Sequence, residues 1–344
     1  MTKEDLISCI KRQEHHGVPT FLLDGCIGAR YAGIDVSEIF QYGFDSELSA
    51  KSISSSRRQL GHDGIVGSLM FADYGSLGEE CEYPSKGMPV ITKHAFEDPM
   101  DMEYCSAYDI IETNVMDECI RSYELVRGYE PDAAIAAVFP TVLDVAARIR
   151  GKEAFLMDMN CDEYAFDETV GFAKGIVNLV SDRILEEGDP DFVILTCTMD
   201  DMNLIGEERF MDSSILDMTN TYYKCVGSGK PAVIHPRCIL TDDLGKKMLK
   251  PMRYVGFEGL YYSGGNDHNT MVQLCQNDIS LMGGVDIRTI CHGTDDTVRD
   301  EAEEVMNVMD GRNFIYTCSD SVDVSADTHL LEVMMSAVKA HQLQ

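Results

Sequence analysis

The sequence predicts an α/β fold, a single (β/α)8 TIM barrel domain spanning residues 1–344 with an N-terminal helical extension. Three observations carry this. Short apolar runs alternate with longer amphipathic segments from about residue 130 onward, the pattern of βα units around a parallel sheet. The strand candidates total roughly eight, which favours a closed barrel over an open sheet. No Gly-x-Gly-x-x-Gly follows the first strand, so the usual dinucleotide fingerprint is missing.

The first strand candidates are Val18–Leu23 and Ile65–Phe71, separated by helical stretches at Ile34–Tyr42 and Ser46–Leu60. Further strands are expected at Ala134–Phe139, Phe192–Met199, Ala232–His235, Gly259–Tyr262, Leu281–Val285 and Phe314–Thr317. Between them lie helix candidates Asp167–Glu187, Ser213–Val226, Asp243–Leu249, Asn269–Asn277, Asp295–Met309 and Thr328–His341, several opened by an N-capping Asp, Ser, Asn or Thr. The segment Glu79–Tyr108, rich in Pro, Asp and Glu, reads as a long βα loop or lid over the barrel mouth.

Hydrophobic residues make up 44% and charged residues 25%, enough apolar material for a large core. The formal net charge of −31 repels a phosphate backbone, so nucleic acid is not an expected partner. No apolar run approaches the ~20 residues that span a bilayer, so neither a membrane helix nor a signal peptide is expected, and the compartment expected is the cytoplasm. Twelve scattered cysteines lack the dense spacing of a disulfide scaffold; reduced thiols beside 20 methionines suit an anaerobe.

In such a barrel, chemistry collects at the C-terminal ends of strands. Those positions here are Asp24, Cys26, Asp73, Asp200, Asp201, His235, Cys238, Asp286, Cys318 and Asp320. Isolated aspartates there often serve only as helix N-caps. The run Pro231-Ala232-Val233-Ile234-His235-Pro236-Arg237-Cys238 ends a strand on an imidazole with a thiol three residues later, and both are good zinc ligands. Alone, that pair is equally compatible with a backbone-satisfied histidine and an inert buried cysteine. Glu207 and Cys275 add an acid and a thiol on neighbouring βα units, so that Glu207, His235 and Cys275, with Cys238 as the substitute for Cys275, form the candidate zinc set, three ligands leaving a fourth position open. Cys275, however, falls inside a predicted helix. Asp73 and Asp201 are candidate substrate-orienting acids, and Asp24, Arg30, Tyr261, Tyr262 and Asp286 candidate substrate-binding groups.

From Thr2–Arg12, which looks like an N-terminal helix, to residue 341 the chain resembles the uroporphyrinogen decarboxylase superfamily. The resemblance is carried by Val18-Pro19-Thr20-Phe21, Gly33-Ile34-Asp35-Val36, Leu60-Gly61-His62-Asp63-Gly64 and Phe71-Ala72-Asp73, the last similar to the Phe-Ser-Asp of the decarboxylases. Ile234-His235, Met282-Gly283-Gly284-Val285-Asp286, Gly293-Thr294-Asp295-Asp296-Thr297-Val298 and Asp323-Val324-Ser325-Ala326-Asp327-Thr328 continue it. Decarboxylases carry an Arg-Gln-Ala-Gly-Arg signature after the first strand; here Asp24-Gly25-Cys26-Ile27-Gly28-Ala29-Arg30-Tyr31 holds one arginine, too few cations for an anionic tetrapyrrole. The resemblance therefore points to the corrinoid-dependent methyltransferase branch. Its coenzyme M members carry His-x-Cys and a later Cys, whereas this chain has His235-x-x-Cys238, Val322 at the late position and Cys318 four residues earlier.

What the resemblance implies is a zinc-dependent methyltransferase that demethylates a small donor, a methoxylated aromatic in an O-demethylase, onto the cobalt of a separate corrinoid protein. The chain itself has no Asp-x-His-x-x-Gly corrinoid motif. Zinc, cobalamin carried on a partner protein, a small-molecule methyl donor and a homodimer are the implied cofactors and partners. The alternatives are a methylcobamide:coenzyme M methyltransferase, a uroporphyrinogen decarboxylase, and a non-catalytic barrel that binds corrinoid or tetrapyrrole.

Overall fold

In the computed structural model, which describes residues 1–85 and 87–341, seven parallel strands form one curled sheet. They run Gly64–Val66, Ala134–Pro140, Phe192–Cys197, Ala232–Pro236, Gly259–Tyr261, Ser280–Val285 and Phe314–Cys318, each hydrogen-bonded to its neighbour in chain order. The eighth stave is only two residues wide. Thr20 bridges Tyr316 on one sheet edge and Phe21 bridges Gly64 on the other, which closes the barrel. Backbone bonds from Phe21 N to Tyr316 O at 2.9 Å and from Gly64 N to Thr20 O at 3.0 Å seal the two seams.

The sequence placed a six-residue strand, Val18–Leu23, at this stave. Its regularity is broken because the backbone leaves the sheet to pair again higher up, where Asp24–Gly25 runs parallel to Val322–Asp323. A buried carboxylate locks the seam at the other end: Asp63 accepts from Thr20 N and Oγ1, both at 2.8 Å, and lies 3.1 Å from the terminal amine of Met1.

The strands are short and nearly continuous in apolar residues because helices cover their outer face and side chains fill the interior. Phe192, Val193, Ile194 and Leu195 are all buried. Helices Ser46–Leu60 and Thr328–His341 occur where the apolar spacing predicted them. The predicted helix Asp243–Leu249 continues to Val255 through Pro251. An internal proline costs about 3 kcal/mol, but Met248, Leu249, Met252 and Val255 lie on one buried face and hold the helix together. Helices Asn114–Tyr129, Val142–Arg150, Lys152–Cys161 and Met202–Arg209, which the sequence reading passed over, complete the outer layer.

One glycine sets a helix crossing. A Cβ on Gly28 would lie 2.0 Å from Ser52 O, so only glycine lets helix Ile27–Ala32 rest on helix Ser46–Leu60. The expected lid Glu79–Tyr108 contains an antiparallel pair, Glu80–Glu82 with Val90–Lys93, and the 3-10 turns Pro99–Tyr104; its Lys86 lies outside the described residues. Among the described residues no helix is long and apolar enough to cross a membrane.

Candidate functional site at the barrel mouth

The C-terminal strand ends open into a cavity of about 770 Å³. Val66, Val138, Pro140, Thr196 and His235 contribute from the strand ends, and Cys81, Tyr83, Met88, Pro89 and Ile91 from the lid segment. Its walls divide by character. Phe40, Phe44, Phe71, Tyr74 and Tyr83 supply aromatic surface, while His235, Arg237, Asp320, Asp144 and Asp73 supply polar groups.

His235 ends its strand with no solvent exposure. Its Nδ1 lies 2.9 Å from Tyr261 O, and its ring stacks on Tyr261 at 3.8 Å between centroids and 14° between planes. A carbonyl oxygen only accepts, so Nδ1 carries the hydrogen, and whenever the ring is neutral its lone pair is on Nε2. Nε2 is buried and has no hydrogen-bond partner among the described residues. The nearest charge is Asp320, whose Oδ1 lies 3.8 Å away. Tyr261 is clamped in turn, its hydroxyl donating to Cys318 O at 2.6 Å. The imidazole is thus fixed from behind, with its free nitrogen at the cavity.

Asp320 also accepts two hydrogen bonds from Arg237, Nε at 3.1 Å and Nη2 at 2.9 Å, both on Oδ2. Burial would raise the Asp320 carboxyl, but the His235 ring in its protonated form and the Arg237 guanidinium outweigh it and hold the group at about 2. A second arginine is committed in the same way: Arg148 grips Glu79 through Nε at 3.1 Å and Nη2 at 2.7 Å, and its guanidinium sits 4.2 Å above the ring of Tyr74. Deeper in the wall, Asp144 accepts from Thr198 N at 3.0 Å and Met199 N at 2.8 Å. Burial raises the Asp144 carboxyl, and burial together with the Asp144 charge raises that of Asp200, to which Thr141 donates a hydrogen bond.

The residues proposed from sequence separate into three groups. His235, Asp73 and Asp24 reach the cavity. Asp24 is already engaged there, accepting from Ser56 Oγ at 2.8 Å and Gly28 N at 3.4 Å, and burial pushes it up to about 6. Tyr261 acts from behind His235 rather than on a ligand. The others serve the framework: Asp201 caps helix Met202–Arg209 by accepting from Asn203 N, and Arg30 donates to the carbonyls of Val324 and Ala326. Tyr262 bonds His268 Nδ1 at 2.9 Å and Asp286 pairs with Arg288 at 2.6 Å, both beside a separate cavity of about 310 Å³.

The zinc set is corrected. Glu207 stands in solvent, 3.9 Å from Lys247 Nζ. Cys275 ends a helix and is fully buried; helices of a βα barrel run antiparallel to its strands, so this thiol lies toward the face opposite His235. Cys238 is half-buried and does not line the cavity, and burial with the acids Asp201, Asp242 and Asp200 pushes its thiol up to about 12. Cys318 donates to Val285 O at 3.4 Å. Among the described residues no three of His, Cys, Asp and Glu gather as a metal group. The donors present therefore do not fit a three-ligand zinc site, and the position two residues after His235 is held by a permanent cation, Arg237. Sequence reading missed Arg237 and Asp144, although Arg237 shares the extended segment after His235 and so projects from the same strand end.

A (β/α)8 barrel with an apolar and acidic mouth built around a strand-final histidine defines a class of small-molecule enzyme folds. The model for uroporphyrinogen decarboxylase (URO-D) matches residues 1–341, and the chain belongs to that family. Its structure is similar to that of a methyltransferase from Methanosarcina mazei, with a TM-score of 0.83 at 16% identity over 99% of each chain. No curated protein matches the chain.

Proposed function

We propose that this chain is a methyltransferase that seats a small methyl donor in the mouth cavity and passes the methyl group to the cobalt of a corrinoid carried by a separate protein. The observation that carries the reading is the free Nε2 of His235, buried, pre-oriented by Tyr261 and facing a cavity of a size that encloses a small molecule. The URO-D membership and the fold shared with a methyltransferase support it. A cobalt carried by a separate protein is compatible with a sequence that has no corrinoid motif of its own.

In this reading the reduced corrinoid supplies the nucleophile, and the chain supplies position. The aromatic wall holds the body of the donor, Nε2 of His235 accepts a hydrogen bond from its polar end, and Arg237 with Asp320 keeps the imidazole from swinging. The methoxylated aromatic expected from sequence leaves as a phenolate, which needs a cation beside it; among the described residues Arg237 lies near His235. A coenzyme M methyltransferase would need a thiol-rich metal site, and a decarboxylase would need cations free for several carboxylates. Both arginines of the cavity are already bound to carboxylates.

The test is incubation of the purified chain with reduced cobalamin and a donor panel of methoxyarenes, methylamines, quaternary ammonium compounds and methylthiols, followed by the absorbance of methylcobalamin. Chain-dependent methylation by at least one donor is the expected result, and its absence with every donor would refute the reading.

A further inference from the structure

We propose that the donor is a cation, a quaternary ammonium compound bearing N-methyl groups. This rests on the methyl-transfer reading and names its substrate class. Among the described residues five carboxylates line the cavity, Asp24, Asp73, Glu79, Asp144 and Asp320, against two guanidinium groups, Arg148 and Arg237. Each arginine is spent on one acid, Glu79 and Asp320. Asp24 and Asp144 take hydrogen bonds from their surroundings. Asp73 is different: among the described residues its carboxylate takes no hydrogen bond and forms no ion pair, and it lines the same cavity as Phe40, Phe44, Phe71 and Tyr83. An unpaired carboxylate in a cavity with aromatic walls suits a quaternary ammonium ion, which has no N–H to donate and is held by charge and by π surface.

The polar pole points the same way. Nε2 of His235, without a hydrogen-bond partner among the described residues, faces Asp320 at 3.8 Å, so negative charge growing on a leaving group there meets a carboxylate and one arginine already engaged. Ether cleavage produces such a charge. A quaternary ammonium donor does not: as the methyl carbon bonds to cobalt(I) of the corrinoid co-substrate, the C–N bond breaks, both of its electrons go to nitrogen, and a neutral tertiary amine leaves. Cobalt gives up two electrons to the new bond, and no proton moves. The donor requires no metal cation to draw off the leaving group, which agrees with a mouth whose acids and thiols, among the described residues, do not converge on one metal position.

The experiment compares choline with 3,3-dimethylbutan-1-ol, which has the same shape with carbon in place of the charged nitrogen, by calorimetric titration of the whole chain. Choline should bind at least about tenfold more tightly than the alcohol, and Asp73→Asn should remove most of that preference without weakening the alcohol. Equal affinities, or tighter binding of the uncharged compound, would overturn the inference. Turnover with reduced cobalamin separates the two claims. Methylation by methoxyarenes but by no quaternary ammonium compound sinks the cationic donor and leaves methyl transfer standing. Selective choline binding lost in Asp73→Asn, with no methylation by any donor, supports the cation site and sinks the methyl-transfer reading.

Discussion

Nε2 of His235 lies 3.8 Å from Oδ1 of Asp320, while Oδ2 of the same carboxylate is held by Arg237. The imidazole therefore faces a carboxylate whose charge is already balanced, and Arg237 governs how strongly Asp320 draws on the ring. Arg237→Leu should release the Asp320 carboxyl from about 2 toward its ordinary value near 3.8. Because the Arg237 side chain is 40% exposed, the loss of stability should stay within about 1 kcal/mol, while methyl transfer falls by about tenfold or more. Urea unfolding and initial rates, measured on the same preparations, distinguish a site effect from a folding effect.

Arg237→Cys tests the correction to the zinc set from the opposite direction. A thiolate there would join His235 and Asp320 as a third donor at the barrel mouth, the number a catalytic zinc uses. After dialysis against zinc and then against buffer, the variant should retain near-stoichiometric metal and the wild-type chain far less. Wild-type chain that retains one zinc, released by His235→Ala, would restore the metal to the site.

Asp24 should impose a pH dependence on stability. Its carboxyl is raised by burial from 3.8 to about 6, so the fold favours the protonated form; this contribution is fully present below about 4 and is lost as pH rises through about 6. Asp24→Asn, which removes the titration and keeps an acceptor for Ser56, should flatten the decline in unfolding free energy between those values. The slope removed is at most about 1.4 kcal/mol per pH unit. An unchanged slope in urea titrations across this window would show that Asp24 ionises normally.

The barrel seam should be separable from the mouth. Asp63→Ala strips the buried Thr20 N and Oγ1 of their shared acceptor, a loss of about 1–3 kcal/mol read from the unfolding midpoint. Choline affinity and methyl transfer should change little once the protein is folded, because Asp63 precedes the barrel strand and the cavity lies past its other end.

Much of the fold was legible because burial on both faces writes strands as unbroken apolar runs and writes helices as amphipathic ones. Ala134–Pro140 and Ser46–Leu60 show this. The stave at Thr20–Phe21 was overestimated because apolarity reports burial, not pairing, and Leu22 and Leu23 are buried without continuing the sheet. At the site, His235 was legible from its strand-final place. Glu207 and Cys275 misled because residue type suggests a ligand but does not say which end of the barrel a helix delivers it to. Arg237 was passed over because its role depends on Asp320, 83 residues away, and no local pattern joins the two.

The most direct test of the central claim is the rate of methylcobalamin formation from reduced cobalamin by the wild-type chain and by His235→Ala, each with the best donor of the panel at saturating concentration. The account predicts chain-dependent methylation that falls about 100-fold in the variant while the variant remains folded. Methylation undiminished in His235→Ala, or none by the wild-type chain with any donor, would contradict it.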